Sequence, residues 1–455
     1  MENLNIIILA AGLGKRMYST TPKVLHLLAG KPLLEHVLST AHVLSPQKIC
    51  VVYGHGNETV PNLIRDKQVI WVKQEPQLGT GHALLQALPH LDKKGITLVL
   101  YGDVPLIKAE TLRKLISGVS EDSLALLTVE LDDPLGYGRI IRDITTKKII
   151  EIVEEKDTNK DQLEICEINT GIMAVSNINL HEWLPKLENN NAQKEYYLTD
   201  IVAMAAKSGK RIEATHPLFT WEIFGVNSKI QLAMLERTYQ KNSAKKLLEQ
   251  GVTISDPSRI DIRGQLDFGK DVEIDINCIF EGIVKIGDGV KIGANSILKN
   301  VKIEAGTIIL PFSFIEDADI GKNCRIGPFS RIRPGTILAD EVHIGNFVEI
   351  KNSNINTGSK VNHLSYMGEA KIGKKVNVGA GTITCNYDGV NKLQTIIEDN
   401  VFIGSDTQLI APVKITTGTT IGAGSTITMN TPPEQLTLSR SRQRSVSGWK
   451  RPTKK

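Results

Sequence analysis

The sequence predicts an α/β chain in two parts, a layered domain of alternating strands and helices followed by a parallel β-helix of six-residue units. Three observations predict it. Residues 1–227 alternate short apolar runs with helical patterns, the grammar of a sheet covered by helices. Residues 228–250 contain no Gly or Pro and place Ile230, Met234, Tyr239, Leu247 and Leu248 at roughly helical spacing. From Gly251 onward, aliphatic residues return every six positions.

In the first part, 1–227, strands are expected at 5–9, 49–53, 70–72, 97–100 and 124–130, with helices between them at 33–43 and 81–88. The stretch 228–250 reads as a connecting helix with Ser228 as its N-cap. The second part, 251–455, holds three runs in register. Ile262 to Leu298 includes Phe268, Ile274, Phe280, Ile286 and Ile292; Ile320 to Ile350 includes Ile326, Ile332, Leu338 and Ile344. After Ile372 and Val378, a last run holds Ile397, Ile403, Leu409, Ile415, Ile421 and Ile427. A period of six fits neither a helix nor a flat strand; it fits a triangular coil of three short strands, each sending one aliphatic side chain inward. The register breaks at 351–371 and 385–396, and the second break reads as a loop projecting from the coil.

The composition is that of a globular protein, with 41% apolar and 23% charged residues. No apolar run is long enough for a membrane span, and the N-terminal run lacks the basic flank of a signal peptide. Five widely spaced cysteines, none in a C-x-x-C pair, point to reduced thiols in a cytoplasm. The net charge of +4 is concentrated in residues 440–455, which carry seven basic groups and no acid. No aromatic-studded basic face accompanies that tail, which argues against nucleic acid as its partner.

The chemistry begins at "ILAAGLGKRMYSTTPK", residues 8–23. It matches neither G-x-G-x-x-G nor a P-loop, because Met17 stands at the third glycine's place and Gly14-Lys15 runs into Arg16. Gly12 and Gly14 free the backbone to approach a polyphosphate at what is read as a helix start. Arg16 and Lys23 supply charge to offset it. Asp103 closes the strand "LVLYGD", where a carboxylate can offer an oxygen to Mg²⁺. In the second part His363 stands off the aliphatic ladder, with Tyr366 three residues on. Arg333 and Lys351 are 18 residues apart, so a triangular coil stacks them on one face. Two stacked cations repel unless an anion lies between them.

With "PKVLH", "QLGTGHA", "YGDVPL", "GYGR", "EINTG", "NNNAQKEYYLTD", "NFVEIK", "GAGTITCNYDG" and "GSDTQL" also in place, the whole chain resembles the bacterial bifunctional N-acetylglucosamine-1-phosphate uridylyltransferase / glucosamine-1-phosphate N-acetyltransferase family. The resemblance implies a Rossmann-like nucleotidyltransferase domain, a linker helix and a left-handed parallel β-helix assembled as a homotrimer. It implies a uridylyltransferase site with Leu9, Ala10, Ala11, Gly12, Lys23, Tyr101, Gly102 and Asp103 around UTP. Gln74, Gly79 and Thr80 fall on the uracil side, Gly138, Glu154 and Asn169 around the sugar phosphate, and Asp103 with Asn227 on Mg²⁺. Arg16 and Lys23 take the catalytic charge role there. The phosphate of N-acetylglucosamine 1-phosphate attacks the α-phosphorus of UTP, and pyrophosphate leaves.

The same resemblance makes His363 the base that takes the amine proton as glucosamine 1-phosphate attacks acetyl-CoA. Arg333, Lys351, Tyr366 and Asn377 then hold the acetyl acceptor, and Ala380, Asn386, Tyr387, Ser405, Ala423 and Arg440 the coenzyme. The product, UDP-N-acetylglucosamine, supplies peptidoglycan and lipopolysaccharide synthesis. The chain departs from the family pattern at Leu13 and Lys15, where the loop ordinarily carries Lys and Thr. The rival reading is a monofunctional sugar-1-phosphate nucleotidyltransferase whose β-helix only oligomerises; His363 and the Arg333/Lys351 stack argue against it. A second rival, a degenerate regulatory subunit, has no need of Arg16, Lys23 and Asp103 together.

Overall fold

The computed structural model describes residues 3–54 and 58–454; Met1, Glu2 and Lys455, the outer ends of the apolar run and of the basic tail, lie outside them. The chain divides into two compact units between Tyr239 and Gln240, and each is described by itself.

The first unit is built on β1 (Leu4–Ala10), β2 (Lys48–Gly54), β3 (Val69–Gln74), β4 (Ile96–Tyr101), β5 (Ser123–Glu130), β6 (Arg139–Arg142), β7 (Ile149–Val153), β8 (Glu167–Ser176) and β9 (Arg211–Thr215). The sheet order is β9-β5-β8-β4-β1-β2-β3, with β6 and β7 attached beyond β8. β1 pairs in parallel with both β2 and β4, and all seven of its residues are buried. A strand covered on both faces has no solvent side to show, which is why "LNIIILA" is apolar at every position but Asn5, itself fully buried. Alternate residues feed two cores: Ile6, Ile8 and Ala10 pack with α1 (Leu33–Val43), whereas Ile7 and Leu9 pack with α2 (Thr80–Ala87). β8 runs antiparallel to β4 and β5. The parallel strands β1 and β4 end side by side, with the Gly102 N–H donating to the Leu9 carbonyl at 2.9 Å, and there the cleft opens.

The connecting helix spans Lys229–Glu249, and Ser228 Oγ accepts from the Gln231 N–H at 3.2 Å, as an N-cap does. The boundary between the units falls inside this helix.

The second unit is a three-sided parallel β-helix. Ile274, Ile292, Ile309, Ile326, Ile344 and Val361 follow one another across successive coils of one face, and the ladder residues form one continuous core. The break at 351–371 is a shortening at corners only: Ile355, Val361, Met367 and Ile372 keep the interior filled. At 386–394 the chain does leave the coil, held by a Tyr387–Lys392 bridge. A glycine after a ladder residue lets the next coil approach; a Cβ on Gly287 would stand 2.7 Å from the Ala305 nitrogen.

A second set of small buried residues, not singled out by the period of six, lies two positions before ladder residues. Thr307 Oγ1 and Ser359 Oγ each donate to a carbonyl of the next coil, at 2.8 and 2.7 Å, and each accepts an N–H at 2.9 Å. Corners are taken mostly by Asn, Asp and Gly in the left-handed region, but one carries Phe312, Phe329, Phe347 and Leu364 there, at φ of 60°, 55°, 58° and 48°.

Candidate functional sites

The first site is a cleft of about 560 Å³ at the ends of β1 and β4. Leu9, Ala10, Ala11, Gly12, Lys23, Gln74, Gly79, Thr80, Tyr101, Asp103 and Asn227 line it together with Arg16. At its centre the Lys23 ammonium pairs with Asp103 Oδ2 and donates to Asn227 Oδ1 at 3.0 Å. Both side chains of the ion pair are nearly buried, at 12% and 13% exposure. A carboxylate and an amide oxygen therefore converge on one cationic point, the donor types that Mg²⁺ takes from proteins. Among the described residues no cluster of three His, Cys, Asp or Glu side chains is placed to hold a metal, so any ion here relies on ligand oxygens as well.

The loop corrects one expectation. Gly14 opens only a three-residue 3₁₀ turn, Lys15–Met17, not an α-helix. Gly14 and Tyr18 sit in the left-handed region at φ 62° and 47° on either side and stop it, so no helix dipole acts on a phosphate there. The glycines instead make room for Lys23: a Cβ on Gly14 would lie 2.9 Å from Lys23 Cβ, and one on Gly12 would lie 3.7 Å from Nζ. Leu13 and Lys15 lie exposed at the rim. Gln77, which the sequence reading passed over, also lines the cleft and donates to the Ala11 carbonyl.

Gly138, Glu154 and Asn169 form a neighbouring group. Asn169 N–H donates to the Gly138 carbonyl at 2.8 Å, and a Cβ on Gly138 would lie 3.4 Å from Glu154 Oε2. Tyr101 links this group to the Lys23 centre, since Glu154 and Asp103 both bear on its phenol. Burial, with those two carboxylates adding to it, pushes the Tyr101 pKa up, so it stays a hydrogen-bond donor. Burial likewise raises the Glu154 carboxyl, helped by Asp200, Asp157 and Glu195 and opposed by a 3.0 Å hydrogen bond from Thr199.

The second site follows from register alone. Val361, Val378, Ile403 and Ile421 pair coil to coil, which puts His363, Ala380, Ser405 and Ala423 in one column. His363 is exposed beside the corner residue Leu364. Arg440 Nη1 donates to the Ala423 carbonyl at 2.8 Å, bringing the start of the basic tail to this column; Asn386 and Tyr387 begin the projecting loop.

Ile332 and Ile350 pair, so Arg333 and Lys351 do stack on one face. Each of these cations meets a carboxylate of the protein's own. Arg333 pairs with Glu349 at 2.6 Å and Lys351 with Glu369 at 3.5 Å. Glu349 could have been found as the acidic member of "VEIK"; Glu369 follows the shortened corner, which spacing does not reveal. Glu369 also accepts from the Asn386 amide, and a Cβ on Gly368 would fall on the Tyr366 hydroxyl and 2.8 Å from Asn386 Nδ2. Asn377 lies on the face before the His363 corner, paired with Lys360, whereas Tyr366 lies on the face after it, paired with Glu349.

Comparison with known proteins matches residues 6–253 to a MobA-like NTP transferase domain. Residues 262–348 match a GMPPB C-terminal domain, and residues 394–428 match the bacterial transferase hexapeptide (six repeats). Full-length relatives carry the name bifunctional protein GlmU. Those of Nitrosospira multiformis, Nitrosomonas eutropha and Nitrosomonas europaea are 67%, 63% and 61% identical, each covering 100% of this chain and 99% of its own.

Proposed function

The chain belongs to the bifunctional GlmU family and joins a nucleotidyltransferase unit to a hexapeptide-repeat acetyltransferase unit; from that premise we propose that it makes UDP-N-acetylglucosamine in two steps. The β-helix transfers acetyl from acetyl-CoA to glucosamine 1-phosphate. The α/β cleft then transfers uridylyl from UTP to N-acetylglucosamine 1-phosphate and releases pyrophosphate.

The observation that carries this reading is that each unit gathers its own matched set of groups, the Lys23–Asp103–Asn227 centre in one and the His363 column in the other. In the cleft, Asp103 and Asn227 would hold Mg²⁺, which when bound neutralises phosphate charge. Arg16 lines the same cleft and would offset the charge of the nucleotide's phosphates, and Lys23 carries a second positive charge into the centre. No base is needed, because a phosphate monoester is already ionised at neutral pH. Gly138, Glu154 and Asn169 fit the sugar, next to Tyr101.

On the β-helix the amine of glucosamine 1-phosphate attacks the thioester carbonyl. His363 Nε2 or Nδ1 takes the amine proton, and the thiolate of coenzyme A leaves. Arg333, Lys351, Tyr366 and Asn377 hold the acceptor. Ala380, Asn386, Tyr387, Ser405, Ala423 and Arg440 hold the coenzyme.

A homotrimer is part of the proposal. Phe312, Phe329 and Phe347 stack ring on ring at 4.9 and 5.4 Å while 51%, 47% and 57% exposed. Each sits in a backbone region costing roughly 1–2 kcal/mol for a non-glycine residue. An apolar ladder kept at that cost on the surface fits contact with a second copy, as does the split of acceptor residues across the His363 corner. All five cysteines are unpaired, in keeping with a cytoplasmic protein, and among the described residues no helix is long and apolar enough to cross a membrane.

The test uses the full chain. UTP with N-acetylglucosamine 1-phosphate should release pyrophosphate, and acetyl-CoA with glucosamine 1-phosphate should release a titratable thiol. A folded sample silent in either assay removes that half of the proposal.

A further inference from the structure

Gln74 is 2% exposed, and its neighbours accept its side-chain amide in only one orientation. Nε2 donates to the Gly79 carbonyl at 3.0 Å, an acceptor that repels the amide's oxygen. The same nitrogen lies 3.1 Å from His82 Nδ1. Nδ1 must therefore present its lone pair, which puts the ring proton on Nε2. With both Nε2 hydrogens claimed, only Oε1 remains to meet a ligand in the cleft that Gln74 lines. Gln86 Nε2 lies 3.1 Å from His82 Nε2; a neutral imidazole accepts at one nitrogen only, so with Nδ1 accepting from Gln74 the Gln86 amide has to turn its oxygen to the Nε2 proton. Burial lowers the His82 pKa, which keeps the ring neutral and Nδ1 free to accept. The Tyr196 ring packs 6.3 Å from that of His82. The base-side loop is clipped to the same segment, with Gly81 N–H donating to the Tyr196 carbonyl and Tyr196 N–H to the Leu78 carbonyl, both at 2.8 Å.

We propose that His82 is a positioning residue that makes Gln74 a pure acceptor, so that the cleft selects a pyrimidine carrying hydrogen on N3, the uracil type, over cytosine. The inference rests on the reading of Gln74 as a base-side residue. Uracil N3–H donates to Oε1. Cytosine N3 carries a lone pair and meets Oε1 with repulsion, and turning the amide to suit it breaks both hydrogen bonds at Nε2. A mismatch of this kind in a buried site is worth roughly tenfold to a hundredfold.

The experiment measures pyrophosphate release by the full chain with N-acetylglucosamine 1-phosphate and either UTP or CTP, and reads the ratio of the two kcat/KM values. His82→Leu leaves Gln74 one anchor in place of two, and the UTP/CTP ratio should fall about tenfold. His82→Asn, whose Oδ1 stands near the place of Nδ1, should bring the ratio back to within about threefold of wild type. An unchanged ratio in a His82→Leu protein that melts like wild type overturns the proposal, including when both nucleotides slow equally. Should His82→Leu fail to fold, Gln86→Leu carries the test: it frees the ring to exchange tautomers and should lower the ratio about threefold, and no change overturns the proposal. Gln74→Leu separates the two layers. If it leaves the ratio at the wild-type value, Gln74 does not read the base. If it collapses the ratio while His82→Leu does not, the base reading stands and the role of His82 falls.

Discussion

The two units assemble chemistry by opposite routes. In the α/β unit, Lys23, Asp103 and Asn227 are brought together from far apart in the chain, because parallel strands β1 and β4 end beside each other and the segment before the connecting helix returns to the same edge. Their charges are already balanced within a cleft. In the β-helix, His363, Ala380, Ser405 and Ala423 meet because each is one coil further along. That column is exposed except at half-buried Ala380, and the stacked cations of the following face are paired with Glu349 and Glu369. A cleft gives one chain an enclosed site. A repeat gives a line of groups on an open surface, and enclosure then has to come from a loop, a tail or a second copy.

The most severe test of that comparison is to disable each route separately. Asp103→Ala leaves Lys23 without its carboxylate and should lower pyrophosphate release roughly 10³-fold, with thiol release from acetyl-CoA unchanged. His363→Ala should lower thiol release roughly 10²- to 10⁴-fold and leave pyrophosphate release alone. If either folded variant lost both activities, the two routes would be one.

The next largest effect concerns the scaffold. Ile350 is fully buried between Ile332 and Met367 of the adjoining coils. Ile350→Ala should cost about 2–5 kcal/mol, read as a lower melting temperature of the β-helix. A solenoid is held by nearest-neighbour coils, so the loss should centre on the coil that carries Lys351.

How far each route was legible follows from the same contrast. Every aliphatic residue of the six-residue ladder points inward, so Ile326 or Leu409 could be assigned to the core from spacing alone, and the stack of Arg333 on Lys351 followed by counting coils. Counting failed where a corner drops a residue, as between Ile350 and Ile355 or Met367 and Ile372, and there Glu369 was missed. In the α/β unit the strands could be read because β1 is apolar at every position but Asn5, and the glycine loop has the form of a phosphate-type motif. What Gly14 does could not be read, because the atoms it accommodates belong to the Lys23 stem, placed there by tertiary folding. Gln77 and His82 were invisible for the same reason: their partners, the Ala11 carbonyl and the Gln74 amide, are fixed by the fold and not by spacing.

A milder perturbation asks what the carboxylates beside the stacked cations do. Glu369→Gln keeps an oxygen for the Asn386 amide and removes the charge that engages Lys351. If Glu369 holds the place a substrate phosphate will take, the KM for glucosamine 1-phosphate should fall about threefold, the scale of a partly exposed ion pair. A rise in KM would mean that Glu369 itself holds the acceptor.

The smallest effect is expected where the repeat is most tolerant. Cys324 occupies the column that holds Thr307 one coil earlier and Ser359 two coils later, and its Sγ lies 3.1 Å from the Ala339 carbonyl. Thr307 and Ser359 donate to the equivalent carbonyls of Gly321 and Gly373 at 2.8 and 2.7 Å. Burial raises the Cys324 pKa, so the group in place is the neutral thiol, a weaker donor than a hydroxyl. Cys324→Ser exchanges one for the other at a position where the coil already uses both kinds. The stronger hydrogen bond offsets the smaller volume, and the melting midpoint should shift by less than about 1 kcal/mol equivalent. A loss as large as that of Ile350→Ala would mean that the thiol fills space no hydroxyl can, and that this column belongs to the packed core and not to the hydrogen-bonded corners.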